Sequence, residues 1–284
     1  MTLTDDRRQW WRTAARALGR AALGALLLVI AMSVVMVSAE QLPRAYRVLW
    51  PSLVAAVAMA AAYTFYARRI EQRPGNEFAL RHAPLELGLG LMGGAALVCI
   101  VFAVLAALQV FRLQGRHPLG PAALTVLSDV VLVAFFEEVL VRGIVLRLFE
   151  RPLGRTGAVV ASALLFGLAH LPNPGATALS TLNVTMAGVM FGVAFLATQR
   201  LWLCIALHLG WNFTASYVFS ATVSGQNGGV GLFFGELHGS GWMTGGAFGM
   251  EGSVITFVAL AAGTALLQAT NAVRRRRSRA MISG

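Results

Sequence analysis

Three stretches of the chain set ionisable or amide side chains into otherwise apolar sequence. The first reads Ala134-Phe135-Phe136-Glu137-Glu138-Val139-Leu140-Val141-Arg142-Gly143. An ionised residue at a bilayer centre costs about 2.5–3.5 kcal/mol on insertion scales, so two carboxylates and an arginine there need a compensating role. At about 100° per residue, Glu138 and Arg142 lie one helical turn apart and can pair, whereas Glu137 points about 140° away from Arg142. Glu137 is then the freer carboxylate, placed to act as a general base. The alternative for this trio is an ion pair that only fixes helix packing. The second stretch is Phe166-Gly167-Leu168-Ala169-His170, followed by Leu171-Pro172-Asn173-Pro174-Gly175, a strong helix stop. Backbone broken in this way is tolerated at membrane depth only when it is buried in protein or lines a wet cavity. The third is Cys204-Ile205-Ala206-Leu207-His208-Leu209-Gly210-Trp211-Asn212. Its His208 and Asn212 are four apart and share a helix face. Such a pair serves either as interhelical glue, worth about 0.6–2 kcal/mol, or as part of a site.

The elements that must carry these residues are membrane helices. The chain is 57% hydrophobic and 12% charged, with mean hydropathy +0.69, against roughly 25% charged residues in a soluble domain. Apolar runs near the length of about 20 residues that spans a bilayer recur at Leu18–Ser38, Val48–Tyr66, Leu87–Phe111, Ala122–Leu146, Gly157–Leu171, Ala178–Thr198, Leu201–Ser220 and Ser253–Thr270. The expected fold class is all-α, a polytopic membrane bundle of about eight transmembrane helices. Cys99 and Cys204 both lie in apolar segments, which argues against a disulfide framework or a thiolate metal site.

All 23 basic residues are arginine, and they are unevenly distributed. If every segment spans, the groups at 7–20, 68–81, 147–155, 200 and 274–279 share one side, while Arg44, Arg47, Arg112 and Arg116 face the other. The positive-inside rule puts both termini in the cytoplasm. The same pattern explains the formal net charge of +11 without nucleic acid as a partner. Membrane lipid is the expected partner instead, and the basic tails serve mainly as topology anchors. Val37-Ser38-Ala39 has the look of a signal-peptidase site and Arg7-Arg8 of a twin-arginine signal; a retained first helix is the preferred reading.

Glu-Glu-x-x-x-Arg, Phe-x-x-x-His and His-x-x-x-Asn, in that order on three apolar helices, resemble the CAAX-protease and bacteriocin-processing (CPBP) family of intramembrane proteases, which includes the type II prenyl-protein endopeptidases. The resemblance runs over about 120–217. The apolar runs and arginine clusters divide the chain into a cytoplasmic basic tail 1–17, a membrane domain 18–272 and a basic tail 273–284, and the resemblance puts a protease core at about 120–217. It implies an endopeptidase acting on a membrane-associated or lipidated protein or peptide. Glu137 and His170 would activate water, His208 and Asn212 would stabilise the oxyanion, and Glu138 and Arg142 would support them. It also implies a metal-free, glutamate-based mechanism, so no cofactor is expected. Zinc on Glu137, His170 and His208 is the alternative, although no His-Glu-x-x-His helix is present. The competing functions are a non-enzymatic immunity or scaffold protein of the same fold, and a proton-coupled transporter, which lacks the paired broken helices of an inverted repeat.

Smaller expectations complete the reading. Asp129 is expected to be an outer-cavity or capping group. Asn183 and Thr185 either face the cavity or glue helices. His82, His117 and His238 are expected at the surface, and Gly225–Gly231 in a flexible external loop. Measured from the cytoplasmic ends of the assigned segments, Glu137 lies about 14 Å deep, His170 about 20 Å and His208 about 10 Å, so their convergence requires tilted helices or shifted ends.

Overall fold

A computed structural model describes residues 3–227 and 229–283. The side chains of Arg7, Arg8, Arg12 and the arginines at 274–279 lie outside the described residues, so the role of the two tails as anchors is left as an expectation. The architecture is a membrane helix bundle. Its long helices are α1 (Leu3–Glu40), α2 (Trp50–Phe65), α3 (Ala83–Ala107), α4 (Ala122–Glu138), α5 (Leu146–Ala169), α6 (Ala178–Thr198) and α7 (Trp202–Phe213). A short α8 (Gly241–Thr244) and a closing α9 (Val254–Ser283) follow. Among the described residues, five stretches are long and apolar enough to cross a membrane unbroken: Thr13–Glu40, Trp50–Ile70, Leu80–Ala107, Ala178–Thr198 and Val254–Val273. The remaining apolar segments, at α4, α5 and α7, are interrupted by wide helical turns or a glycine, and these are the ones that carry the motifs. The protein is a multi-pass membrane protein whose outer helix faces expose residues such as Val57, Met92, Leu164 and Leu168 to lipid.

Helix α1 packs into the bundle. Leu28 is fully buried, and a Cβ at Gly24 would stand 2.8 Å from the Tyr66 ring and 2.9 Å from Ile144 Cδ1. Val37-Ser38-Ala39 lies within this helix. Helix α4 does not stop near Leu146. It passes through a π turn, Val139–Val145, directly into α5. The break comes at Gly154, whose φ of 68° suits glycine, just after Pro152 has removed a backbone donor. An i,i+3 ion pair between Arg147 and Glu150, at 3.2 Å, supports the added turns.

This shift resolves the depth problem. By helical rise Glu137 is about 24 Å from Leu153, and His170 is about 22 Å from Arg155. Helix α7 starts deeper than either. Leu201 is fully buried, and its N–H donates to the Glu77 carbonyl at 3.0 Å. The segment after α2 roofs it over: Trp202 Nε1 donates to Ala79 O at 3.2 Å, and Phe78 packs edge-on to Trp202 and stacks on Phe135.

Contacts among the loops sort them onto two faces. On the arginine-rich face, Glu77 binds both Arg73 and Arg147, and Arg200 pairs with Glu86. On the other face lies a feature the sequence did not announce, a two-stranded antiparallel ribbon of β1 (Phe111–Arg116) and β2 (Phe233–Leu237). His117 is tied into it rather than free at the surface: its ring nitrogen Nδ1 donates to Gly231 O at 2.9 Å. The glycine-rich stretch is likewise fixed, against expectation. Gly225 N donates to Phe248 O at 3.0 Å, and Asn173 Nδ2 donates to Ser224 O at 2.9 Å. Gly225 and Gly249 take φ of 79° and 91°, so these glycines shape turns rather than loosen them.

Helix α7 is held by close backbone approach to α3. A Cβ on Gly94 would stand 2.6 Å from Trp211 N, and one on Gly210 would stand 2.9 Å from Leu91 Cα. Small residues are how membrane helices approach this closely. Gly94→Ala is therefore expected to destabilise the bundle by about 1–3 kcal/mol. Gly88→Ala, where an added Cβ meets nothing within 4 Å, is expected to leave stability unchanged or raised. Thermal unfolding in detergent compares the two.

Candidate functional site

The site forms where α4, the end of α5 and the middle of α7 cross. Glu138 and Arg142, both fully buried, are one turn apart across the start of the π turn, and Arg142 Nη1 donates to Glu138 Oε1 at 2.8 Å. Arg142 Nη2 donates to the Gly188 carbonyl at 2.9 Å. The guanidinium also lies 4.8 Å from the Phe166 ring centroid and 5.2 Å from that of Phe191, close enough for cation–π attraction. Gly188 admits this approach because α5 and α6 touch there: a Cβ on it would sit 2.9 Å from Ala163 Cα.

The same Glu138 oxygen binds His208, whose Nδ1 lies 3.0 Å away. A carboxylate only accepts, so Nδ1 carries the proton. The ring stacks on Phe191 at 5.0 Å, and Nε2 faces Glu137 Oε2 at 3.9 Å. That Oε2 is buried without a hydrogen-bond partner among the described residues, although the Glu137 side chain as a whole is 26% exposed. The two adjacent glutamates thus have different surroundings. One oxygen of Glu138 is held by both Arg142 and His208, its other oxygen being buried without a hydrogen-bond partner among the described residues, while Glu137 lines the cavity.

His170 caps α5, with Nδ1 donating to Phe166 O at 2.8 Å. When this ring is neutral, Nε2 carries the lone pair. Asn212 is buried one turn beyond His208. Glu137, His170, His208 and Asn212 all line one cavity of about 370 Å³, together with Asp129, Asn173, Ser216 and Gln226. Asp129 is thus a cavity residue. Among the described residues there is no group of three or more His, Cys, Asp and Glu arranged to hold a metal ion.

Glu251 was not anticipated. It is buried, and its Oε1 accepts from Trp211 Nε1 at 2.7 Å. Its Oε2 accepts from Ser224 N at 2.6 Å and from Ser224 Oγ at 2.8 Å. Asn183 Nδ2 donates to the carbonyls of Glu251, at 2.7 Å, and Ser253, at 2.8 Å. Asn183 therefore glues α6 to this loop, and Thr185 bonds back to Thr181 O at 2.8 Å. The signal for Glu251 was faint: a lone carboxylate in a glycine-rich stretch, with no helical period to give it a face. It ties the cavity wall at Ser224 to the residue preceding Asn212.

Two outcomes are expected in variants. Arg142→Met leaves Glu138 buried with its main cation gone, and is expected to cost about 3–5 kcal/mol; the double variant Glu138→Leu/Arg142→Met is expected to recover much of that loss, read by thermal unfolding in detergent. Glu251→Ala is expected to release the Ser224 wall, seen as faster limited proteolysis between 221 and 252 than in the parent protein.

Residues 118–214 match the family model described as Type II CAAX prenyl endopeptidase Rce1-like. No curated protein and no solved structure matches the chain. The matched segment begins just before α4 and ends just after α7, so it holds all three motifs and the helices that converge on the cavity, while α1, α2, α3 and α9 lie outside it. The match covers about a third of the chain, and over residues 118–214 the protein is similar to the CAAX-protease type of intramembrane peptidase.

Proposed function

We propose that the protein is an intramembrane endopeptidase in which Glu137 is the general base. The observation that carries this reading is that Glu137 lines the polar cavity beside His170, with no hydrogen-bond partner for its buried oxygen among the described residues, whereas Glu138 lies outside that lining with one oxygen held by both Arg142 and His208. A water held between Glu137 and His170 Nε2 attacks the scissile carbonyl carbon. Its proton passes to Glu137 as the C–O bond forms, and the carbonyl oxygen becomes an oxyanion. The Asn212 amide donates to that oxygen in any protonation state. His208 can donate from Nε2 only when the ring carries both protons, because Nδ1–H is committed to Glu138. Collapse of the tetrahedral intermediate breaks the C–N bond, and the proton on Glu137 moves to the departing amine. The products are a carboxylate and an amine, and no metal is required at any step.

Glu138, Arg142 and Glu251 position the others. The substrate class is a membrane-associated or lipidated protein or peptide, and the protein sits in the cytoplasmic (inner) membrane with both termini in the cytoplasm. The family-model match over residues 118–214 supports the peptidase class, and the arginine distribution supports the orientation.

Glu137→Gln is expected to lower turnover of a membrane-peptide library by about 10²–10⁴-fold with its unfolding temperature kept. Asn212→Ala is expected to lose about 10²–10³-fold. Retention of full activity by Glu137→Gln would reject the base assignment and favour a peptide-binding scaffold. Turnover is expected to be insensitive to chelators; stoichiometric bound zinc required for cleavage would refute the metal-free mechanism.

A further inference from the structure

A polar cavity opens onto the proposed reaction centre. The cavity walls come from Val126, Asp129 and Val133 on the first half of α4, Asn173 just beyond α5, Ser216 just beyond α7, and the turn at 223–227. These belong to the face that carries the β1–β2 ribbon. Toward the opposite face the centre is sealed. Arg142 and Glu138 are fully buried, Phe166 and Phe191 cover the guanidinium, and the Arg73–Glu77–Arg147 network closes the segment that roofs α7. A second, mostly apolar groove of about 400 Å³ reaches Glu137 and His170 from between α4 and α5, lined by Leu140, Val141, Val145 and Leu165. Leu165 is exposed on the lipid-facing side of α5.

Charge fixes which face is which. Arg44, Arg47, Arg112 and Arg116 are the arginines of the face bearing the cavity mouth, Arg142 is buried, and every other arginine belongs to the sealed face or its tails. Short connections rich in arginine stay in the cytoplasm.

We infer that the site takes its substrate from the extracytoplasmic side: an exported or membrane-anchored polypeptide whose apolar flank lies in the groove between α4 and α5, and whose polar flank extends into the cavity toward the 223–227 turn. The inference rests on the peptidase reading for the substrate, but not for the side on which the cavity opens. It separates this protein's substrates from chain ends modified and held at the cytoplasmic surface, which meet the sealed face.

The test uses the full chain with Cys99→Ser. Gln226→Cys marks the cavity rim and Arg81→Cys marks the opposite face; both positions are exposed. A membrane-impermeant maleimide should label Gln226→Cys in right-side-out vesicles and Arg81→Cys only in inverted ones. In parallel, a quenched-fluorescent peptide with an apolar segment and a charged, impermeant end is added to sealed vesicles of each orientation. Cleavage is expected in right-side-out vesicles and lost in inverted ones until detergent opens them. Labelling of Gln226→Cys only in inverted vesicles overturns the inference, as does cleavage confined to sealed inverted vesicles. External labelling with no cleavage of any library peptide, even in detergent, removes the peptidase reading and its substrate while leaving the side of the mouth established.

Discussion

A charge placed in the middle of a membrane bundle must be answered by other groups, and the Glu138–Arg142 pair is where this chain meets that demand. Neither side chain has access to water or lipid. Taking two ions out of water costs several kcal/mol each, and their attraction offsets this only when further hydrogen bonds complete the set. Here a helix carbonyl, two aromatic faces and a histidine answer the pair, while Glu138 Oε2 and Arg142 Nε have no hydrogen-bond partner among the described residues. They come from three further helices: Phe166 from α5, Gly188 and Phe191 from α6, and His208 from α7. The pair therefore dictates where four helices stand relative to one another. Registers that withdrew any of them would leave a buried charge short of partners. The proposed site is assembled as a by-product of answering that charge.

The close approaches between helices follow from the same constraint. Arg142 reaches the backbone of α6 only because Gly188 carries no side chain, and His208 reaches Glu138 only because α7 is drawn tightly against α3 through Gly94 and Gly210. In lipid no hydrophobic drive pulls helices together, so association rests on packing and polar contacts. Small residues and the ion pair are thus two parts of one mechanism. Glu251 extends it outward. By bonding the Trp211 indole and the Ser224 backbone together, it couples the outer half of α7 to the loop that walls the cavity.

The parts legible in the sequence were those with a helical period. The apolar runs gave the bundle, and the spacing of Glu138, Arg142, His208 and Asn212 gave their faces. The different directions of Glu137 and Glu138 followed from 100° per residue. Helix ends were harder. The extension of α4 past Leu146 depends on a π turn and on ion pairs to a distant loop, and neither leaves a local pattern. The recessed start of α7 is a tertiary effect, set by the Glu77 carbonyl and the Phe78–Trp202 contact. The ribbon and the folded glycine-rich loop were hidden for another reason. Their order comes from long-range hydrogen bonds such as His117 to Gly231, while their composition alone is that of a flexible linker.

Adjacent glutamates on one helix offer a way to give the same residue type two surroundings, one at the cavity and one in the protein. The 100° step turns Glu138 into the protein and leaves Glu137 at the cavity wall. Chemistry at this depth needs water, and the cavity supplies a polar lining on one side only, from Asp129 through Asn173 to Gln226. The Arg142 cluster on the other side acts as a floor. An alternating-access transporter must open its site to both faces in turn, and here that would require breaking the one interaction that holds the four helices in register. A hydrolase needs no such opening. A fixed floor, a one-sided water path and a lateral apolar groove are compatible with cutting a chain that arrives through the membrane, and they argue against carrying a solute across it.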